Sequence, residues 1–392
     1  MTPSAHLLSR LETICACALL LAGVPRLRGA TTVTDRFQGY TIQTETEFFG
    51  AQSVTGPFNQ RGYPLYDYSV DLVQPSATLP GYLLFAGGRW RSARGDGDHV
   101  LKWASADGRA RSWVMPQARP EFWHGKEDGT DPKGWTRGNY LQAQAFIDPA
   151  NGKWAMYVQY QVDRGQPLDE PGLLADTGGG SRIGLASSDD GNTWRKKLDA
   201  SVVTHISDPT HTFIGDEEFV YAPWDAAGKK YWLYYMLSRH RHYLGIRRIR
   251  SDRADAYDET REERVTGFSQ IGNQIGYLET TSQPLLVRIT SAKDATGRWV
   301  PALQYSLDGL RWGFGEGAPG LLAGSTDTNL NRNLYFLGIA TVAGLGSIHR
   351  TGTNTFETIY GGATCNKSVA PEIFNSDIGV GSIRFTVTPP AK

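Results

Sequence analysis

The chain has 392 residues with 40 basic and 40 acidic side chains, a formal charge of zero in which nothing argues for the basic surface a nucleic acid or an anionic membrane requires. It carries 11 Trp, 18 Tyr and 15 Phe beside 45 Gly, the composition of short aromatic strands joined by glycine turns, which predicts an all-β fold. Of its three cysteines, Cys15 and Cys17 fall in the leader described next. Cys365 is then left alone, which excludes an internal disulfide framework or a cysteine metal cluster.

Residues 1–30 read as a secretory signal. Arg10 precedes an apolar run from Ile14 to Val24 that breaks at Pro25 and Gly29, and the run is too short to span a bilayer. The expectation is a secreted protein, extracellular or periplasmic, monomeric and free of the membrane once the signal is cleaved. Residues 31–392 then form one domain, with no Pro-rich or charged linker to divide it.

Along that domain, strand-like runs recur at a regular interval. Candidate innermost strands are Tyr68–Val73, Leu141–Ile147, Glu218–Ala222, Gln274–Leu278 and Leu334–Thr341. Each is followed by a second run, often aromatic: Gly81–Gly88, Gly152–Tyr160, Lys229–Met236, Pro284–Thr290 and Thr355–Gly361. Third strands are His99–Ala104, Ile183–Ala186, Tyr243–Arg250, Val300–Tyr305 and Gly379–Thr386.

Three of the third strands end in a shared signature. Ser105…Asp107-Gly…Trp113, Ser187-x-Asp189-x-Gly191-x-Thr-Trp194 and Ser306-x-Asp308-Gly309…Trp312 each describe a tight hairpin. In such a turn the Asp caps backbone N–H groups, Gly takes the positive-φ position and Trp packs back over the sheet. Repeats of this length signal radial architecture. The prediction is a five-bladed β-propeller of four-stranded antiparallel blades at about 62–113, 138–194, 214–257, 268–312 and 330–388. Residues 31–61 supply an opening strand that helps close the ring.

The hairpin signatures mark one face, so the N-terminal ends of the innermost strands and the second-to-third-strand loops share the other. That face collects Asp67 and Asp71; Asn139 and Gln142; Asp216, Glu217 and Glu218; Asn273; and Arg332. Its loops add Arg89, Trp90, Trp123, His124, Trp135, Arg137, His211, His240 and His242. Indole stacks on the apolar face of a sugar, and Arg, Asn and carboxylates bind its hydroxyls, so the set predicts carbohydrate in a central well.

The second signature resembles the Asp-box of sialidase-type propellers, and the whole layout is similar to the five-bladed superfamily that includes family 43 glycoside hydrolases. The resemblance implies a general base Asp opening blade one, a pKa-tuning Asp in blade two and a Glu general acid. Asp67, in Asp-Tyr-Ser-Val, resembles the base motif, and Glu217 or Glu218 is the nearest acid. Blade two departs from the family, with Leu141-Gln-Ala-Gln-Ala-Phe146 where the tuning Asp belongs.

The functional expectation is a glycoside hydrolase cleaving a poly- or oligosaccharide, with Asp67 and the Glu on opposite sides of the well and therefore inverting. Two alternatives stand beside it. His240 and His242, aimed the same way by strand alternation, with Tyr or Arg, suit a polysaccharide lyase acting beside a uronate. The missing blade-two Asp suits a non-catalytic glycan-binding propeller. No catalytic metal or cofactor is expected, and a structural Ca2+ or other cation at the propeller axis is left open.

Overall fold

The computed structural model describes residues 31–52, 70–78, 81–92, 95–110, 112–114, 140–161, 181–203, 212–239, 242–268, 274–280, 283–293, 299–316, 334–365 and 376–391. The leader lies outside them. Two strands open the described chain, β1 (Thr31–Phe37) and β2 (Tyr40–Gln52). Blade one holds β3 (Val70–Gln74), β4 (Tyr82–Ser92) and β5 (Gly95–Ser105), edged by Val114 bridging Ala104. Blade two holds β6 (Tyr140–Ile147), β7 (Trp154–Gln161), β8 (Ser181–Ser188) and β9 (Trp194–Val203).

Blade three is β10 (Thr212–Tyr221), β11 (Tyr231–Arg239), β12 (His242–Ser251) and β13 (Glu263–Val265). Blade four is β14 (Ile275–Leu278), β15 (Leu285–Lys293) and β16 (Trp299–Ser306), edged by Gly313 bridging Tyr305. Blade five starts with β17 (Leu334–Ile339), and the short β18 (Thr341–Val342) crosses to pair parallel with β3. It continues with β19 (Thr355–Cys365) and β20 (Ser376–Thr388). Blades two and three meet through one parallel bridge, Phe213 to Ser181, and neighbouring strands within each blade are antiparallel. The protein is an all-β five-bladed propeller.

Ring closure uses both ends of the described chain. β2 pairs antiparallel with β20 from Thr41↔Thr388 to Gln52↔Ile378, so the opening strand completes blade five. Closure of this kind removes the unpaired edges an open row of sheets would leave.

One apolar cluster lies between each pair of neighbouring blades, which is why the strands read as apolar on both faces. Val73, Phe85 and Val100 meet Ala143, Met156 and Val158 between blades one and two. Tyr157 and Leu185 meet Phe219 and Leu233 between two and three, and Tyr234 and Trp232 meet Tyr277 and Leu286 between three and four. Val287 and Leu303 meet Phe356 and Ile383 between four and five, and Leu72 and Trp103 meet Ile359 and Val380 between five and one. Each such side chain, fully buried, contributes about 1.5–3 kcal/mol.

The three signature turns share one geometry, and it sets their frame. Gly108, Gly191 and Gly309, all at φ +70°, donate N–H to the Oγ of Ser105 (2.8 Å), Ser188 (2.9 Å) and Ser306 (2.9 Å). Asp107, Asp190 and Asp308 accept from the amides two residues on, those of Arg109 (3.0 Å), Asn192 (2.8 Å) and Leu310 (2.8 Å). The Ser187–Asp189 frame expected for blade two is therefore off by one residue. Asp189 is exposed and pairs with Lys153 at 2.8 Å. What recurs in all three blades is a Ser-x-Asp-Gly turn.

At the C-terminal ends of the innermost strands, the segment after β18 runs across the axis. Ala343 N–H donates to Gln74 O (2.7 Å), while Ala343 O accepts from Ile147 N–H (2.8 Å). Leu345 O accepts from Tyr221 N–H (3.0 Å) and Gly346 O from Tyr277 N–H (2.7 Å), so one short segment binds blades one to four. Gly344 sits at φ +70°, and a Cβ there would lie 2.1 Å from Ala145 O. Gly344→Ala is expected to cost at least about 2 kcal/mol, from left-handed strain together with that overlap. Gly352→Ala, whose Cβ would meet only Thr355 at 3.4 Å, is expected to stay within about 0.5 kcal/mol, as surface changes do. Urea unfolding midpoints measure both.

Candidate active site at the propeller axis

At the other end of the axis, the innermost strands bring acids and amides together. The acids come from a bulge in β10. Its register with β11 shifts between Gly215, opposite Met236, and Glu218, opposite Tyr234, so Asp216 and Glu217 together face Tyr235. Asp216 takes φ +54°, a conformation Asp tolerates better than most residues. Alternation breaks at the bulge and sorts three consecutive carboxyls: Asp216 and Glu217 meet blade two, and Glu218 meets blade four.

Gln159 of β7 forms the seat for the first two. A Cβ on Gly215 would lie 2.5 Å from the Gln159 amide, so the glycine is what lets that side chain lie over the bulge. Gln159 Oε1 accepts from Asp216 N–H (3.0 Å), and Gln159 N–H donates to Glu217 Oε1 (2.8 Å). Gln142 Nε2 donates to Asp216 Oδ1. Glu217 is fully buried, and its Oε2 has no hydrogen-bond partner among the described residues. Asp216 is mostly buried, with a little of its surface still accessible.

Glu218 is held differently. Arg288 of β15 grips it with two parallel bonds, Nε to Oε2 (2.7 Å) and Nη2 to Oε1 (2.6 Å), and both side chains have no exposed surface. Arg288 also donates to Gln304 Oε1 (3.0 Å) and lies 4.1 Å over the Phe268 ring. This pair rivets blade three to blade four.

Asp71 of β3 is buried, and both its oxygens are engaged. Oδ2 accepts from Ala145 N–H (2.7 Å), and Oδ1 from Gln274 Nε2. Gln274 in turn accepts from Leu72 N–H (2.9 Å) and Ile339 N–H (3.0 Å), and its own N–H donates to Leu337 O (3.1 Å). Blades one, two, four and five thus meet in one hydrogen-bonded knot.

Burial raises the carboxyls that lack a cation. It lifts Asp71 to about 8, against the hydrogen bonds from Ala145 and Gln274 that favour its charge. Burial lifts Asp216 to about 7, with the Glu218 charge adding to it. Glu217 rises to about 8 through burial first, then through the charges of Asp216 and Asp71. Three neighbouring carboxyls thus hold protons near neutral pH.

Of the other expected site residues, Asp67, Trp123, His124, Trp135, Arg137, Asn139, His211, His240, Asn273 and Arg332 lie outside the described residues. The backbones of Arg89 and Trp90 run in β4 opposite Asp98 and Gly97, and that of His242 in β12 opposite Arg239. The expectation did not single out Gln159, Gln274 or Arg288. Their signal was polar residues inside otherwise apolar strands, since a buried polar side chain is the informative exception. Among the described residues no group of three or more His, Cys, Asp or Glu is arranged to hold a metal ion.

No family model matches the chain, and no curated protein matches it in sequence. Solved structures match the fold. An N-acetylgalactosamine deacetylase from F. plautii, in complex with blood group B trisaccharide, aligns with a TM-score of 0.53 at 15% identity over 90% of this chain and 95% of that one. A GH62 hydrolase in complex with xylotriose aligns with a TM-score of 0.53 at 12% identity over 86% of this chain and 97% of that one. A thermostable family-43 glycoside hydrolase gives 0.49 at 12% identity, over 84% and 95%. The first two likenesses show that the chain shares its fold with these two enzymes. A deacetylase and a glycoside hydrolase share that fold, so the fold alone does not decide the reaction.

Two predictions follow from the charges. Carboxyls at about 7 to 8 in the folded protein, against about 4 in the unfolded chain, keep protons that unfolding releases. Stability contributed this way is present at acid pH and falls as pH rises from about 4 to about 8. Thermal unfolding should be higher at pH 5 than at pH 8, with a shallower slope in Glu217→Gln. Separately, Arg288→Met leaves Glu218 buried without its cation and should cost about 3–5 kcal/mol, while Glu218→Met with Arg288→Met recovers most of the loss. Urea titrations of the two variants decide this.

Proposed function

We propose that the protein is a secreted glycoside hydrolase that cleaves a poly- or oligosaccharide in the axial well, with Glu217 as general acid and Asp67 as general base. The observation that carries this reading is the state of Glu217. It is a buried carboxyl raised to about 8, anchored through Oε1 and with Oε2 lacking a partner among the described residues. An acid that keeps its proton at neutral pH can donate it to a leaving glycosidic oxygen. Glu218, with both oxygens committed to Arg288, is not available for that role.

Blade two lacks a tuning Asp, and in this reading Asp216 and Asp71 replace it from the neighbouring blades, since ionising either one makes Glu217 hold its proton more firmly. Glu217 has no exposed surface, so contact with the sugar requires a local opening at the bulge, where Asp216 keeps some accessible surface. Asp67 precedes the first strand of blade one in the sequence, and Glu217 sits on blade three. An inverting reaction asks for such a pair to stand roughly 6.5–9.5 Å apart, with water activated by Asp67 between them. That two fold relatives were solved with oligosaccharides supports a carbohydrate substrate.

The test is release of reducing ends from a panel of plant and microbial polysaccharides. Asp67→Ala and Glu217→Gln should each lower kcat by about 10²–10⁴. Glu218→Gln should act mainly on stability. Products that absorb as unsaturated uronates would replace this reading with a lyase using His240 and His242. Binding without any product would replace it with a glycan-binding propeller.

A further inference from the structure

Among the described residues the exposed large hydrophobic side chains are Val114, Tyr243 and Leu244. Val114 sits on the outer edge of blade one, but Tyr243 and Leu244 are adjacent on the hairpin joining β11 to β12. That hairpin belongs to the face that carries the acids: β10 begins there, and Tyr243 pairs with Ser238 two positions beyond Met236, the partner of Gly215. Tyr243 is 61% exposed, a large area for an aromatic ring with no apolar cover.

The backbone beneath the ring is built rather than loose. β12 bulges at Leu244, opposite the step from Leu237 to Ser238 of β11, with Gly245 at φ +111°. Arg247 Nη1 donates to Leu244 O (3.3 Å), Arg247 Nε donates to Glu262 Oε1 (3.2 Å), and Tyr235 Oη donates to Glu262 Oε2 (2.8 Å). The ring is therefore presented on a hairpin braced through three side chains, which lowers the entropy lost when a ligand stacks on it.

Charge points to the ligand. Arg264 of β13 stands directly opposite Arg247, and like charges placed so are unfavourable. Arg247 is neutralised by Glu262, whereas Arg264 is exposed and has no carboxylate partner among the described residues. Arg247 lies four residues along β12 from Tyr243, so Arg264, paired opposite Arg247, stands on the same stretch of the blade-three edge as the exposed ring.

We propose that Tyr243 and Arg264 form an outer subsite for an anionic sugar residue, bearing a carboxylate or a sulfate, in a glycan that continues from the axial well along blade three. The subsite rests on the reading of the axis as a carbohydrate site. The ring stacks on the apolar face of the sugar and Arg264 takes the anion with paired N–H donors.

Affinity electrophoresis of the full chain tests it, in gels cast with polygalacturonate, with chondroitin sulfate or with neutral arabinoxylan. Wild-type protein and Glu217→Gln should both be retarded by at least one anionic glycan, and which one identifies the anion. Tyr243→Ala and Arg264→Gln should each weaken that retardation about tenfold, the equivalent of one charge-assisted hydrogen bond. Arg195→Gln, which removes an exposed cation on blade two, should leave it unchanged. Equal losses in Arg195→Gln and Arg264→Gln would mean unspecific cation attraction and overturn the subsite, as would unchanged retardation in both rim variants. Cleavage that survives while the rim variants bind normally sinks the subsite alone. Rim-dependent binding without cleavage sinks the hydrolase reading alone.

Discussion

The structure depends on what happens where five sheets meet at a point. Apolar packing holds neighbouring blades together, but at the axis there is little room for apolar side chains and several strand ends need partners. The answer is the Asp71–Gln274 knot. One amide and one carboxyl satisfy backbone groups of Leu72, Ala145 and Ile339, which come from three different blades. Each of those groups, left buried without a partner, would cost about 1–3 kcal/mol. The price of the knot is a carboxyl in a dry place.

That burial sets the electrostatics of everything nearby. Asp71, Asp216 and Glu217 share a confined region with no cation among the described residues, so each carboxyl that ionises makes its neighbours hold their protons more firmly. Glu218, one residue on, avoids this by meeting Arg288. Two solutions to the same problem, neutralisation by a proton and neutralisation by a guanidinium, thus stand side by side on one strand. The first leaves a titratable group at the axis, and the second leaves a rivet.

Much of the fold was legible because its signals are local. Aromatic runs such as Lys229–Met236 and the turns at Gly108, Gly191 and Gly309 announce strands and hairpins within a few residues. The doublets Ser187-Ser188 and Asp189-Asp190 allow two alignments of the blade-two turn, and the bonds from Gly191 to Ser188 and from Asn192 to Asp190 select one. The site was less legible. Strand alternation puts Glu217 and Glu218 on opposite faces without saying which faces the axis, and the β10 bulge decides it from Gly215 and Gln159. The bond from Gln274 to Asp71 spans 203 residues, and nothing near either residue encodes it.

The most direct measurement is an infrared titration of protonated carboxyl groups in wild-type protein and in Glu217→Gln. A proton on Glu217 that persists toward pH 8 predicts a protonated-carboxyl band still present at pH 7 and diminished in the variant. A band lost by about pH 5, as for ordinary carboxyls, or one unchanged by the substitution, would contradict the assignment of Glu217 as the axial acid.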